Sequence, residues 1–361
     1  MSAEQIAAIQ KLWDRMQSNE DSPAEIKKVI EQIESLMNDE AVKSNAFLLS
    51  KLKLILHKAG RECDLKALAA EFDAEAKLDP NNHEIFVCLA ETYLHDQKYQ
   101  EAITPLEYAQ TLGNYADVLR LLSLCYRRIQ PPNFQKSLDI AKAALKINMK
   151  DGKSWISVAL SYLSLGGENI KNAQAALKNA LKNGEEKNAD ALLNLGTVEE
   201  LLMNFNSAMN YYEQAMVITQ GWPTASAHLG RLKDRIFKAL NRAEFLGHLK
   251  PKKKADLLSL IKDADDYLVA EFAGDREDPT QIILCFNKEG NVFAFGIPQT
   301  VRPYLKVEKS CLKIPNPEFT ELSLDGKSIP FHVIDDPKKL NIIGGLQPHN
   351  VQPVSITSSL A

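Results

Sequence analysis

Hydrophobic positions in the first two thirds of the chain recur at three- and four-residue steps, the spacing of one buried helix face. Ile6, Ile9, Leu12, Trp13 and Met16 open that pattern. Ser22-Pro23 then supplies an N-cap with proline at the first helical position, and a second helix is predicted to run to Met37. Segments 41–59 and 64–77 read as a further helical pair, closed by the breaker Asp79-Pro80. Beyond Asp265 the period falls to two. Six short segments, 281–286, 291–297, 300–307, 310–314, 319–324 and 328–334, read as strands. Asn287 to Gly290 and Asp325-Gly326-Lys327 read as hairpin turns between them.

Between these two regimes the helical pattern repeats. Units starting at 83, 116, 152, 189 and 223 place Leu89-Ala90, Leu122-Ser123, Val158-Ala159, Leu195-Gly196 and Leu229-Gly230 at equal positions. Ala102, Ser137, Ala173 and Ala208 occupy one equivalent site in the second helices, and Ala109, Ala144, Ala180 and Ala215 another. Small residues at such sites let two helices approach closely. Extra residues at Pro131-Pro132 and near Gly166-Gly167 are assigned to interhelix turns, and 223–243 reads as a first helix without a partner. This is the helix-turn-helix pattern of a tetratricopeptide repeat, clearest at 189–222. The expected fold is an all-α tetratricopeptide-repeat solenoid followed by a small all-β OB-fold barrel. Its segments are irregular N-terminal helices or a cap (1–80), the solenoid (81–245), a Lys-rich junction helix (246–265), an OB-fold-like barrel (266–346) and a flexible tail (347–361).

Composition narrows the function. The 43 basic and 47 acidic residues leave a net charge of -4, so any charge-driven partner must be met locally. Cys63, Cys88, Cys125, Cys285 and Cys311 form no C-x-x-C pair, and Cys88 and Cys125 fall on apolar helix faces as buried free thiols. Residues 1–20 are charged and helical, which does not fit a signal peptide, and no apolar run approaches ~18 residues. A reducing, cytoplasmic or nuclear setting without membrane contact is expected. The seven histidines lie at no metal-ligand spacing, and no phosphate loop, G-x-S-x-G or H-E-x-x-H occurs. A non-catalytic protein without metal or cofactor is therefore expected.

A repeat solenoid offers a concave groove lined by its first helices. In the unit at 116 the groove positions hold Arg120, Leu124, Arg127 and Arg128. In the unit at 189 they include Asp190, Asn194 and Thr197, and in the unit at 223 they include Thr224. A groove with both signs suits a short peptide with both signs: arginine can grip a carboxylate with two prongs, and an asparagine can take peptide backbone through donor and acceptor. The plainer reading is a set of solvated charges. Trp155 and Trp222 sit at or beside packing positions. Lys250, Lys252, Lys253 and Lys254 make either a local phosphate site or a solvated linker. Phe286, Phe293 and Phe295 could stack single-stranded bases, although Phe293 and Phe295 share one strand face and fit a core equally well.

Several segments also carry a resemblance. DGKSWISVALSYLSL (151–165), NAD followed by LLNLG (188–196), GWP (221–223), LKPKKKADLLSL (249–260), VFAFGI, KIPNPEFTEL and IDDPKKLNIIGG appear in this order. Together with the order of segments, they resemble the tetratricopeptide repeat protein 5 family of stress-responsive activators. The resemblance implies recognition of the N-terminal peptide of nascent tubulin at the ribosome. It further implies recruitment of an mRNA-decay adaptor that triggers loss of tubulin mRNA, known as tubulin autoregulation. It also implies an alternative role, a nuclear transcription coactivator scaffold that binds an acetyltransferase. By that resemblance the peptide-contacting arginine falls on Arg127, the aspartate on Asp190 and the groove asparagine on Asn194, with Arg120 on the same wall. The family's second groove acid falls on Thr224, and Leu160 stands where a groove amide is usual. The lysines that meet ribosomal RNA fall on Lys250 and Lys252, with Lys253 beside them. The barrel is also shorter than the family's.

Overall fold

A computed structural model of the chain describes residues 3–16, 23–276, 278–334, 336 and 340–343. The expected tail at 347–361 and the N-cap at Ser22 lie outside the described residues. The helices are α1 (Ala3–Met16), α2 (Pro23–Met37), α3 (Glu40–Lys43), α4 (Ala46–Lys58), α5 (Leu65–Leu78), α6 (His83–His95), α7 (Tyr99–Leu112), α8 (Ala116–Arg128) and α9 (Phe134–Ile147). They continue as α10 (Gly152–Leu165), α11 (Asn169–Ala180), α12 (Ala189–Leu201), α13 (Phe205–Ile218), α14 (Pro223–Gly247) and α15 (Pro251–Leu258). Each of the five unit starts read from the sequence is the first residue of a helix: α6, α8, α10, α12 and α14. The single helix expected over 41–59 is instead two. Asn45 breaks it, because its side chain accepts from the Leu48 amide at 3.0 Å and starts a new helix.

The chain divides into two compact units. The first runs to Leu165 and includes Ala175–Ala191 and Ile218–Gln220; the second comprises Gly166–Gln174, Leu192–Val217 and the chain from Gly221 onward. In the first unit one apolar core runs from Ile9, Trp13 and Ile33 through Phe72 to Leu122 and Ala144. The small sites behave as their size requires: Ala90, Ala102 and Ala109 are fully buried. Where serines replace alanine, the polarity is satisfied internally. Ser137 Oγ lies 3.0 Å from Ser123 Oγ and 2.8 Å from Ser161 Oγ, so the three hydroxyls of α8, α9 and α10 pair with each other. The Pro131-Pro132 insertion sits in the α8–α9 turn as expected. The one assigned near Gly166-Gly167 does not: the α10–α11 turn is short, and the extra length follows α11 as a wide turn over Leu181–Glu185.

In the second unit Gly196 meets the Tyr212 ring so closely that an added Cβ would lie 2.6 Å from it. That is the close approach the repeat pattern implies. Gly230, its counterpart in α14, has no such neighbour: a Cβ there would meet nothing within 4 Å. The same unit contains the β domain. Its strands are β1 (Asp266–Ala273), β2 (Thr280–Phe286), β3 (Val292–Pro298), β4 (Cys311–Lys313), β5 (Thr320–Leu324), β6 (Lys327–Val333) and β7 (Asn341–Ile343). They form one mixed sheet in the order β5-β6-β3-β2-β1-β4-β7, antiparallel except for β3 beside β6.

Five expected strands are present, one is not, and two were unread. The segment 300–307 carries a 3-10 turn over Gln299–Tyr304, because Pro303 has no N–H to give a ladder. The unread β1 is paired on both edges, and its almost continuous burial removes the alternation that signals a strand. β7 is only a three-residue segment. Asp325 (φ 50°) and Gly326 (φ 77°) form the β5–β6 turn, the two positive dihedrals that suit a right-twisted hairpin. Phe295 and Phe286 are fully buried and Phe293 packs on the same core as Phe295, so these rings hold the sheet together and are not presented for stacking bases.

Candidate functional site

Helix α8 brings the two candidate arginines to one face, since Arg120 and Arg127 are seven residues, or two turns, apart. Their surroundings separate them. Arg120 Nη1 donates to Asp151 Oδ2 at 2.7 Å, and Ser154 Oγ donates to the same carboxylate. Asp151 belongs to the DGKSW segment, whose other members are also structural. An added Cβ at Gly152 would fall 2.7 Å from the Asn183 carbonyl, and Trp155 Nε1 donates to the Met149 carbonyl at 2.9 Å. Arg120 is thus a neutralised bracket between α8 and the start of α10.

Arg127 has no such partner. Its Nη1 is shielded from solvent and meets no acceptor among the described residues. Burial, and then the adjacent Arg128 charge, lower its pKa to about 10, so the guanidinium still carries its charge at neutral pH. A shielded charge without a counterion is costly, and the cost is relieved by any anion that reaches it. Cys125, on the same helix, is buried and its thiol is pushed up to about 12, so it stays neutral.

Asp190, on α12 of the first unit, is exposed. Asn188 caps this helix: its Oδ1 accepts from the Ala191 amide at 2.9 Å while its Nδ2 donates to Glu185 at 2.7 Å. Asp190 therefore projects from the first turn of a well-anchored helix. In the second unit, Asn194 is 8% exposed and its side chain makes no hydrogen bond among the described residues. Thr224 is exposed at the second residue of α14, the helix begun by Trp222 as N-cap and Pro223 at its first position.

The lysines sit at the start of α15. Lys250 is its N-cap residue, no side chain caps its amides, and its first turn holds no acid. Lys250 and Lys252 are exposed. Lys253 pairs with Glu308 at 3.3 Å, and Lys254 lies over the Phe286 ring at 5.8 Å. Cations at a helix N-terminus oppose the helix dipole; their fields add there and make a locus for anions.

Pattern reasoning did not reach the carboxylates that hold the cations. Asp151 and Glu200 had no mark in the sequence beyond, for Asp151, the DG-x-SW signature. Among the described residues no three His, Cys, Asp or Glu side chains are placed to hold a metal, and no helix is long and apolar enough to cross a membrane. The cysteines are free, and all but Cys63 are buried.

The fold and these side chains define a tetratricopeptide-repeat solenoid that continues into a mixed β domain. Comparison with known proteins returns the same resemblance as the sequence segments. The chain is 25% identical over 267 residues to Tetratricopeptide repeat protein 5 of Mus musculus, and 25% identical over 268 residues to that of Homo sapiens. Each match covers 70% of this chain and 60% of the relative, so the match spans less than two thirds of these relatives. No protein-family model matches. Among solved structures, a thermophilic tetratricopeptide-repeat protein of Thermus thermophilus is similar at TM-score 0.45 and 18% identity, over 52% of this chain and 97% of that one. The APC/C hetero-tetramer Cut9-Hcn1 is similar at TM-score 0.46 and 12% identity, over 58% and 40%.

Proposed function

We propose that the chain is a non-catalytic adaptor that reads the N-terminal peptide of nascent tubulin at the ribosome and triggers decay of tubulin mRNA. The observation that carries this reading is Arg127, a charged guanidinium with a shielded, unpartnered Nη1. A peptide carboxylate supplies the missing counterion through a charge-assisted bond. Exposed Asp190 offers the opposite sign to a basic residue or a free amino terminus. The similarity to Tetratricopeptide repeat protein 5 supports assigning these groups to peptide recognition. On this reading Arg120 orders α8 instead of meeting the peptide, because Asp151 already neutralises it. Thr224 leaves the second acidic contact unmade, so the grip on a basic peptide residue rests on Asp190.

Lys250 and Lys252 are the proposed contacts to ribosomal RNA, supported by their exposure at the uncapped start of α15. Lys253 contributes less, because Glu308 shares its charge. The cytoplasm is the compartment this work requires.

The test is fluorescence anisotropy with a labelled tubulin N-terminal peptide of the Met-Arg-Glu type. Arg127→Ala and Asp190→Lys are each expected to abolish saturable binding. Unchanged binding in both variants would refute the reading. Neutralising Lys250 and Lys252 together should lower co-sedimentation with translating ribosomes and leave peptide affinity at the wild-type value.

A further inference from the structure

The β domain holds a second cationic site. A cavity of about 560 Å³ is lined by Arg276, Arg302, Gln299 and Thr300, together with Phe272 and Pro303. Among the described residues no acidic side chain lines it. Arg302 is held in place from two sides: its Nη1 donates to Gln281 Oε1, and its Cζ lies 4.5 Å from the centre of the Phe272 ring. Gln281 is itself 1% exposed, and its Nε2 donates to the Asp275 and Asp278 carbonyls at 2.8 and 2.9 Å. Gln299 Nε2 donates to the Arg276 carbonyl at 2.7 Å. A buried amide therefore sets the Arg302 guanidinium, and the Gln299 amide anchors the Arg276 main chain.

Neutral amides orient an arginine without cancelling its charge. Elsewhere in the chain Arg61, Arg120, Arg235 and Arg242 each pair with a carboxylate. Neither Arg276 nor Arg302 has a carboxylate partner among the described residues. A guanidinium has five N–H donors, and Gln281 takes one from Arg302. The cavity therefore holds two uncancelled positive charges and a surplus of donors beside an aromatic face.

We propose that this cavity binds a small phosphomonoester whose organic part is flat or apolar. A phosphomonoester near neutral pH carries close to two negative charges and three strong acceptor oxygens, which matches two arginines, an amide and a hydroxyl. A monocarboxylate would leave one arginine uncompensated. Phe272 and Pro303 take the organic part, and the volume is that of a small-ligand site. None of these residues belongs to the peptide groove, so this site stands or falls apart from the tubulin reading.

The test uses the full chain and isothermal titration with phenyl phosphate, benzoate, inorganic phosphate and benzyl alcohol. Phenyl phosphate is expected to bind saturably and more tightly than the other three. Arg276→Gln should weaken it by about tenfold or more, and Arg302→Lys by a similar factor, since lysine keeps the charge but loses the fork. Arg276 is exposed and its side chain makes no hydrogen bond or ion pair among the described residues, so its variant should melt like the wild type and bind tubulin peptide normally. Absence of saturable phenyl phosphate binding at millimolar concentration would overturn the proposal. So would benzyl alcohol binding as tightly, or undiminished binding by a folded Arg276→Gln chain.

Discussion

Two shielded arginines in one chain meet opposite fates. Arg235, on α14, is 5% exposed, donates to Glu200 at 2.9 Å, has Asp278 at 3.9 Å and the Phe205 ring at 4.9 Å. Its one unsatisfied atom is Nε. Arg127, on α8, has a shielded Nη1, feels the adjacent Arg128 charge and meets no carboxylate among the described residues. The first arginine ties α12, α14 and the sheet of the second unit into one body. The second makes no ion pair among the described residues. A side chain that is costly to shield and does no structural work is the mark of a binding residue, and the pair separates the two uses without appeal to position on the groove.

Removing each arginine should sharpen that contrast. Arg235→Ala strands Glu200 and Asp278 in a shielded site, and burial already raises the Asp278 carboxyl. We expect a loss of about 3–5 kcal/mol in urea unfolding. Arg127→Ala should instead leave unfolding within about 1 kcal/mol of the wild type, or slightly stabilise it, while saturable peptide binding is lost. Equal destabilisation by the two substitutions would erase the distinction.

Smaller effects test the scaffold. Gly196→Ala forces a Cβ against the Tyr212 ring, whose hydroxyl donates to Glu200 at 2.9 Å. It should cost about 1–3 kcal/mol by thermal melting, whereas Gly230→Ala, facing open space, should be neutral or stabilising by a few tenths, about the helix-propensity gain. Equal shifts would show that the close approach is absent.

The smallest effect concerns pH. Burial, and then Arg231, lower the His228 pKa below its ordinary 6.5, so the folded chain binds this proton less readily than the unfolded one. Stability should therefore fall as pH drops through the region of 6.5, by less than about 1 kcal/mol because the ring is partly exposed. His228→Gln should flatten the melting temperature between neutral pH and about 5.5. An unchanged slope in that variant would assign the effect to other groups.

Much of the repeat was legible because it depends on local chemistry. Helix starts at 83, 116, 152, 189 and 223 follow from apolar spacing together with residues such as Asn82, Asn188 and Pro223 at the boundaries. The turn residues Asn287 to Gly290 delimited β2 and β3, whose burial is nearly continuous, and period two found β6. It failed at β1, where pairing on both edges erases alternation, and at 300–307, where a single proline outweighs an otherwise strand-like composition.

The amino-acid order by itself determined that this is a helical repeat followed by strands, and which side chains could stand on a groove wall. Both follow from periodicity within a few residues. Only the tertiary structure decided which cations meet a carboxylate. Asp151 lies 31 residues from Arg120, and Glu200 lies 35 from Arg235. No local rule pairs residues so far apart, and Arg127, which shares the type and helix face of Arg120, meets no carboxylate among the described residues.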